Sequence, residues 1–258
     1  MSAVLESPPH SGRHAPAEYD PNEPFGGIGM LRRFTQKEFK TLIELNILEE
    51  DGDHELVDGL IVQPWHGDPE KPFGGMDAIR RFGTLQYHTL IDHGVFTDDE
   101  RLELLDGYLV RKMSHTPEHD FSSDALEDLL RKLIPSEMFL RVQKSITLEN
   151  SEPEPDIAVV RGPRTRYRNA HPATGDIHLV VEVAYSSLPT DRRDKARIYA
   201  EAALPEYWVV NVGERQIEVF SKPENGRYTE TIVYPITAYV PLNLESKRYG
   251  EIPVHTLF

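Results

Sequence analysis

The chain reads as an α/β protein of the α+β kind, a mixed sheet with helices packed against it. Three observations predict this. Short β-branched runs at Pro155 to Val160, Leu179 to Ala184 and Glu206 to Asn211 read as strands buried on at least one face. Before them, His119 to Leu133 has helical periodicity, with Phe121, Leu126, Leu129, Leu130 and Leu133 clustering on one side and Pro135 stopping it. Between the second and third strands, Pro189 to Leu204 reads as a second helix that Thr190 or Asp191 can cap and Pro205 ends.

The other elements follow in chain order. Residues 1–19, rich in Pro, Ser, Ala and His, read as a disordered tail. An internal repeat comes next. Asp20-Pro21, Pro24-Phe25-Gly26-Gly27, Arg32-Arg33-Phe34, Thr41-Leu42-Ile43, Glu55-Leu56 and Asp58-Gly59 all recur 48 positions later without a gap. This predicts a tandem duplication, residues 20–67 and 68–115, too short for a solenoid. Each unit has a helix with apolar residues on one face: Phe39, Leu42 and Ile43, or Tyr87, Leu90 and Ile91. A hairpin then closes on Asp-Gly, a dipeptide that supplies the positive φ of a tight turn. The first unit reads as an added outer module for packing, self-association or a partner. The second hairpin, Leu102 to Lys112, leads into a core over residues 116–258.

Within that core Met138 to Leu148 alternates as a half-buried strand, and Glu149 to Pro155 is an acidic, proline-containing turn. Gln216 to Ser221 pairs with the strand before it, and Tyr228 to Tyr234 reads as another strand. The segment from Pro235 is strand-like or irregular.

Composition narrows the class. In 258 residues there is no cysteine, which excludes a disulfide framework and a cysteine metal site. No apolar run reaches the roughly 18 residues of a membrane helix, and the N-terminus lacks a signal pattern. A soluble, cytoplasmic protein is expected. The net charge of −15 argues against unspecific binding to nucleic acid. Residues 161–200 are locally basic, however, through Arg161, Arg164, Arg166, Arg168, Arg192, Arg193, Lys195 and Arg197. That island reads equally as a solvated surface or as a phosphate-binding one. In the second reading Arg164, Arg166, Arg168 and Arg192 contact nucleic acid.

The chemistry centres on Asp156 and Glu182. Each carboxylate sits in a β-branched run, where burial is costly unless the charge is paired or holds a cation. On neighbouring strands the two would repel, and a divalent ion is the simplest remedy. Magnesium, with manganese as a substitute, takes oxygen ligands and keeps several waters. Asp156 and Glu182, with the Val183 carbonyl, would leave room for a phosphate oxygen and a water. Lys195 lies four residues from Asp191 and from Tyr199, so one helix face would carry all three. It would orient or deprotonate the water, or stabilise developing charge. This predicts metal-assisted phosphodiester hydrolysis, with catalytic Asp156, Glu182 and Lys195 and metal ligands Asp156 and Glu182. Accessory roles are open to Glu103, His119, Asp191 and Tyr199. Glu103 reads first as a hairpin residue, because Glu55 occupies the same place in the other unit. His115 and His119 have metal-like spacing, but Pro117 lies between them and no further ligand is evident, so no zinc site is expected.

The residues Pro155-Asp156, Val181-Glu182-Val183, Ser186, Asp191 through Lys195 to Tyr199, and Glu206-Tyr207-Trp208 resemble the Uma-two family of endonucleases, within the restriction-endonuclease-like PD-(D/E)xK superfamily. Leu102 to Gly107, Met113-Ser114 and His119 resemble that family's first hairpin and helix. The resemblance covers about residues 82–234. It implies a restriction-endonuclease-like core, magnesium dependence, and nucleic acid as the partner, DNA ahead of RNA, with the choice between them left open by the sequence. The position two after Glu182 is Ala184 rather than the signature lysine, so Lys195 must supply the amine from the helix. Cutting both strands of a duplex needs two sites, which makes a homodimer the expected assembly. A non-catalytic binding or scaffold protein that keeps the fold is the alternative. In it Asp156 caps a turn, Glu182 forms a structural ion pair, and Lys195 pairs with Asp191 on a solvated face.

Overall fold

The computed structural model describes residues 19–63, 72–97 and 99–258. The expected tail, apart from Tyr19, lies outside the described residues, as does the Asp68-Pro69 part of the repeat. Among the described residues no helix is long and apolar enough to cross a membrane.

The centre is a six-stranded sheet ordered β10-β9-β8-β7-β6-β5. Its strands are β5 (Met138–Val142), β6 (Ile157–Arg161), β7 (Ile177–Ala184), β8 (Glu206–Asn211), β9 (Gln216–Glu224) and β10 (Arg227–Pro235). Only β7 and β8 run parallel; the other neighbours are antiparallel. A parallel pair needs a crossover, and a helical segment supplies it. That segment is α4 (Leu188–Thr190), a π-helical turn (Asp191–Lys195) and α5 (Ala196–Glu201).

Every residue of β7 is buried, so both sheet faces are covered. Alternation sorts the side chains. Ile157, Val159, Val181, Val183, Trp208 and Val210 pack with Leu126 and Leu130 of α3 (Pro117–Leu133) and with a C-terminal hairpin. That hairpin, β11 (Tyr239–Leu244) and β12 (Lys247–Pro253), is the segment whose shape the sequence leaves open. Ala158, Val160, Val180, Ala184, Tyr207 and Val209 pack on the other side with Ala196, Ile198 and Tyr199 of α5. Asp156 and Glu182 share the parity of this second face.

Three sequence expectations are corrected here. Phe121 is 57% exposed, because the buried face of α3 runs through His119, Ser122, Ser123, Leu126 and Leu130. The crossover helix begins at Leu188 with Ser187 preceding it, so Thr190 and Asp191 lie inside it rather than capping it. The strand from Met138 stops at Val142, because Gln143 takes a left-handed φ of 48° and turns the chain away.

The N-terminal part contains two helix–hairpin units. One has α1 (Gln36–Glu44) with β1 (Glu55–Val57) and β2 (Leu60–Val62). The other has α2 (Thr84–Asp92) with β3 (Leu102–Leu105) and β4 (Tyr108–Arg111). Each hairpin closes on Asp-Gly with both residues at positive φ: Asp58 at 48° and Gly59 at 77°, Asp106 at 50° and Gly107 at 81°. That is the two-residue turn whose twist matches the strands. The units exchange backbone partners. Arg32 N–H donates to the Leu109 carbonyl at 2.8 Å, and Arg80 N–H donates to the Ile61 carbonyl at 2.8 Å. Leu31 bridges Val110 while Ile79 bridges Val62, and Phe34 packs on Phe82. Buried Arg32 also ties the units ionically, bonding Glu38 of α1 and Glu100 before β3.

A candidate metal-binding active site beside the parallel strand pair

The register Ile157↔Val181, carried back one residue, puts Asp156 opposite Glu182 on adjacent strands. The π turn then lays Lys195 across them. Its Nζ donates to Glu182 Oε1 at 2.9 Å and lies 3.5 Å from Glu103 and 3.9 Å from Asp191 Oδ1. The structure therefore brings together Asp156, Glu182, Lys195, Asp191 and Glu103, all lining one cavity with His119. Tyr199 reaches the same point from below, its hydroxyl donating to Glu182 Oε1 at 2.7 Å. The i, i+4 reading of this helix is altered locally by the π turn, a feature common at functional sites.

The second hairpin supplies more than a turn. Glu103 sits in Leu102-Glu103-Leu104 of β3, is buried, accepts the Glu154 backbone N–H at 2.7 Å, and lies 3.8 Å from Lys112 Nζ. Its repeat counterpart Glu55 is exposed, so the two units differ at this position. Lys112, which carries no local signature in the sequence, donates to the Glu154 carbonyl at 2.8 Å. Asp156 Oδ2 accepts Val183 N–H at 2.8 Å and lies 3.2 Å from His119 Nε2. Thr116 caps α3 through the His119 N–H, which fixes the ring's approach.

Burial and charge pull these groups apart. Burial, opposed by Lys195 and reinforced by the other acids, pushes Glu182 up to about 8. Burial likewise takes Asp191 to about 6. Burial works against Glu103 too, but Lys195 and Lys112 hold it below the usual carboxylate range. Burial disfavours the Asp156 charge, yet His119 and the Val183 N–H keep it low. Burial also opposes the Lys195 charge, but Glu103, Glu182 and Asp191 raise it well above an ordinary lysine. In the ammonium form these acids favour, Lys195 donates to Glu182.

These residues fit a hard divalent cation. Four buried carboxylates, Glu103, Asp156, Glu182 and Asp191, face two ammonium groups, Lys195 and Lys112. Asp191 Oδ2 is buried with no hydrogen-bond partner among the described residues. Oxygen-rich donor sets with surplus negative charge suit magnesium or manganese. At the rim, His115, His119 and Asp120 place ligand atoms within 4.8 Å of one another, with the two imidazoles stacked at 4.0 Å. Arg101 lies 3.1 Å from His115 Nε2 and occupies that nitrogen.

The four arginines expected at nucleic acid do not line this cavity. Arg192 pairs with Glu218 and Glu214, Arg166 pairs with Asp176, and Arg164 and Arg168 are exposed on the loop after β6. Instead, Tyr19, Phe25 and Met30 close one wall. Their segment is strapped to the crossover helix, with Phe25 N–H donating to Asp194 Oδ2 at 2.8 Å and Tyr19 bonded to Thr190.

The family described as "Uma2: Putative restriction endonuclease" matches residues 85–245, a span that contains Glu103, Asp156, Glu182 and Lys195. The fold resembles the crystal structure of a putative nuclease belonging to DUF820 from Anabaena variabilis. The TM-score is 0.50 at 16% identity, covering 66% of this chain and 96% of that one. No curated protein matches the sequence.

Proposed function

The chain belongs to the Uma2 family of restriction-endonuclease-like proteins, and from that premise we propose that it is a metal-dependent endonuclease hydrolysing phosphodiester bonds of DNA. The observation that carries the reading is the Lys195–Glu182 contact of 2.9 Å in a cavity shared with Asp156, Asp191 and Glu103. Asp156 and Glu182 would hold magnesium, with manganese as a substitute. When bound, such an ion lowers the pKa of a water and neutralises phosphoryl charge.

The protein's own groups do the rest. Glu182 is held at one oxygen by both Lys195 and Tyr199, which leaves its other oxygen for the cavity. Asp156 is fixed at Oδ2 by Val183 N–H and His119, so it too presents a set direction. Lys195 keeps its proton and donates to a non-bridging phosphate oxygen as negative charge builds there. Water adds to phosphorus and gives up one proton to solvent, the bond to the leaving oxygen breaks, and that oxygen takes one proton back from solvent, so each cut consumes one water. Within this reading the first helix–hairpin unit is a tandem copy of the second in which the matching acid, Glu55, is exposed and joins no site. Its remaining role is to buttress the hairpin bearing Glu103.

Nicking of supercoiled plasmid in magnesium or manganese tests the proposal, run beside Lys195→Ala and Glu182→Ala. Wild type should nick and both variants should fall by at least a hundredfold. Equal cleavage by all three removes the assignment. No cleavage of any DNA or RNA substrate leaves a nuclease fold serving as a binding scaffold.

A further inference from the structure

Next to the acid-lined cavity lies a second one of ≈ 540 Å³, lined by Pro117, Phe121, Tyr185, Val212 and Arg215 among others. Its size falls in the range of about 300–1,000 Å³ typical of small-molecule sites. Tyr185 lines both cavities. It follows Ala184 at the end of β7, three residues beyond Glu182. The start of α3 is shared in the same way: Pro117 faces the second cavity and His119 the first.

The lining is unusual for a surface that has no use. Among the described residues, Phe121 is 57% exposed and Tyr185 is 56% exposed, and both lie in this one cavity. Isolated exposed apolar residues need no explanation, but two aromatic rings in one concave site do. Arg215 is exposed at the rim and donates to the Phe258 carbonyl at 3.3 Å. The net charge of −15 speaks against a long backbone-tracking contact with a regular duplex. Affinity for nucleic acid must then come from another source. Aromatic faces supply it through base stacking, which tolerates any sequence and needs bases freed from their partners. A duplex keeps those faces covered by its own stacking.

On this basis, and resting on the nuclease reading above, we infer that the Phe121–Tyr185 cavity holds an unpaired nucleobase next to the cleaved phosphate, so the substrate is single-stranded nucleic acid or the single-stranded part of a junction or flap. Phosphate in the acid-lined cavity and base in the aromatic one are neighbouring parts of one nucleotide chain. Tyr185 is the wall between them.

The experiment measures binding apart from cleavage. Full-length protein in a chelator is titrated into a labelled 20-nucleotide single strand, and separately into a duplex of equal length, by fluorescence anisotropy. A single strand carrying 2-aminopurine reports stacking by quenching. Wild type should bind the single strand at least tenfold more tightly than the duplex and quench 2-aminopurine. Phe121→Ala and Tyr185→Ala should each weaken single-strand binding about tenfold and abolish the quenching, while Tyr185→Trp restores both. Both positions are exposed, and circular dichroism of each variant verifies folding. Equal binding by wild type and the alanine variants, preference for duplex, or no binding at all overturns the inference. Single-strand binding with quenching but no cleavage in magnesium upholds the aromatic site while removing the nuclease reading. Duplex cleavage untouched by either alanine does the reverse.

Discussion

The hydroxyl of Tyr199 donates to Oε1 of Glu182 across 2.7 Å, with Tyr199 fully buried and Glu182 at the floor of the cavity. The same oxygen takes Lys195, so Glu182 has one oxygen doubly held. Tyr199→Phe deletes one donor and little volume. We expect a loss of about 1–2 kcal/mol in stability by urea unfolding, with a fall of about tenfold in cleavage. Unchanged stability would mean that the hydrogen bond is not formed in solution.

Lys195 lies against Glu103, Glu182 and Asp191 at once, so its removal should also cost stability. Lys195→Ala leaves Glu103, Glu182 and Asp191 buried without their shared ammonium. Breaking such a buried pair from one side costs about 3–5 kcal/mol. Adding Glu103→Gln to that variant removes one of the stranded charges, since Glu103 is held below the usual carboxylate range, and should recover part of the loss. Chemical denaturation of both singles and the double measures the coupling, and strict additivity would refute it.

Metal binding should carry a proton signature. Burial keeps Glu182 protonated up to about 8, and a carboxylate must shed its proton to ligate a cation. Affinity for manganese should therefore rise from pH 6 to pH 8 and level off above. Near pH 7 roughly one proton should leave per ion bound. Calorimetry in buffers of different ionisation enthalpy counts that proton. Glu182→Gln should bind weakly and lose the pH dependence.

A separate acid sets a pH effect on stability. Glu206 on β8 takes the Trp208 indole N–H at 2.6 Å, and burial pushes it up to about 7. Its folded value lies above the ordinary carboxylate one. The stability it contributes is thus complete below about pH 4.5 and is lost as pH rises to about 7. Glu206→Gln should remove that loss and raise the melting temperature at pH 8 by a few degrees relative to wild type. At pH 4.5 the two should melt nearly together. A variant that melts lower than wild type at pH 8 would contradict this.

Much of this site was legible in the sequence because an acid inside a β-branched run is conspicuous. Asp156 and Glu182 stood out in this way, and the helix that follows offered Lys195. The same signal marked Glu103 between Leu102 and Leu104, but its match to Glu55 drew the reading toward a turn role. Only tertiary packing distinguishes the buried acid from its exposed counterpart. Lys112 and the Val183 N–H carry no local signature; their parts depend on which strand end lies near which loop. The π turn was invisible because it adds no residue type, only a wider spacing of backbone bonds. On α3 the periodicity found Leu126 and Leu130 but misplaced Phe121, since an aromatic near a helix start counts toward the stripe whether or not anything covers it. The arginine loop was legible as charge. Its distance from the cavity was not, because charge density along a chain says nothing of where the loop folds.

The swapped backbone bonds of Arg32 with Leu109 and Arg80 with Ile61 have a consequence for how the molecule can be divided. Each N-terminal unit is finished by the hairpin of the other, as two subunits are across a dyad, yet both belong to one polypeptide. The chain thus carries its own mate: the edges that would recruit a second copy through this contact are already taken. Cutting between the units would leave two halves, each with an open margin where its sibling had been.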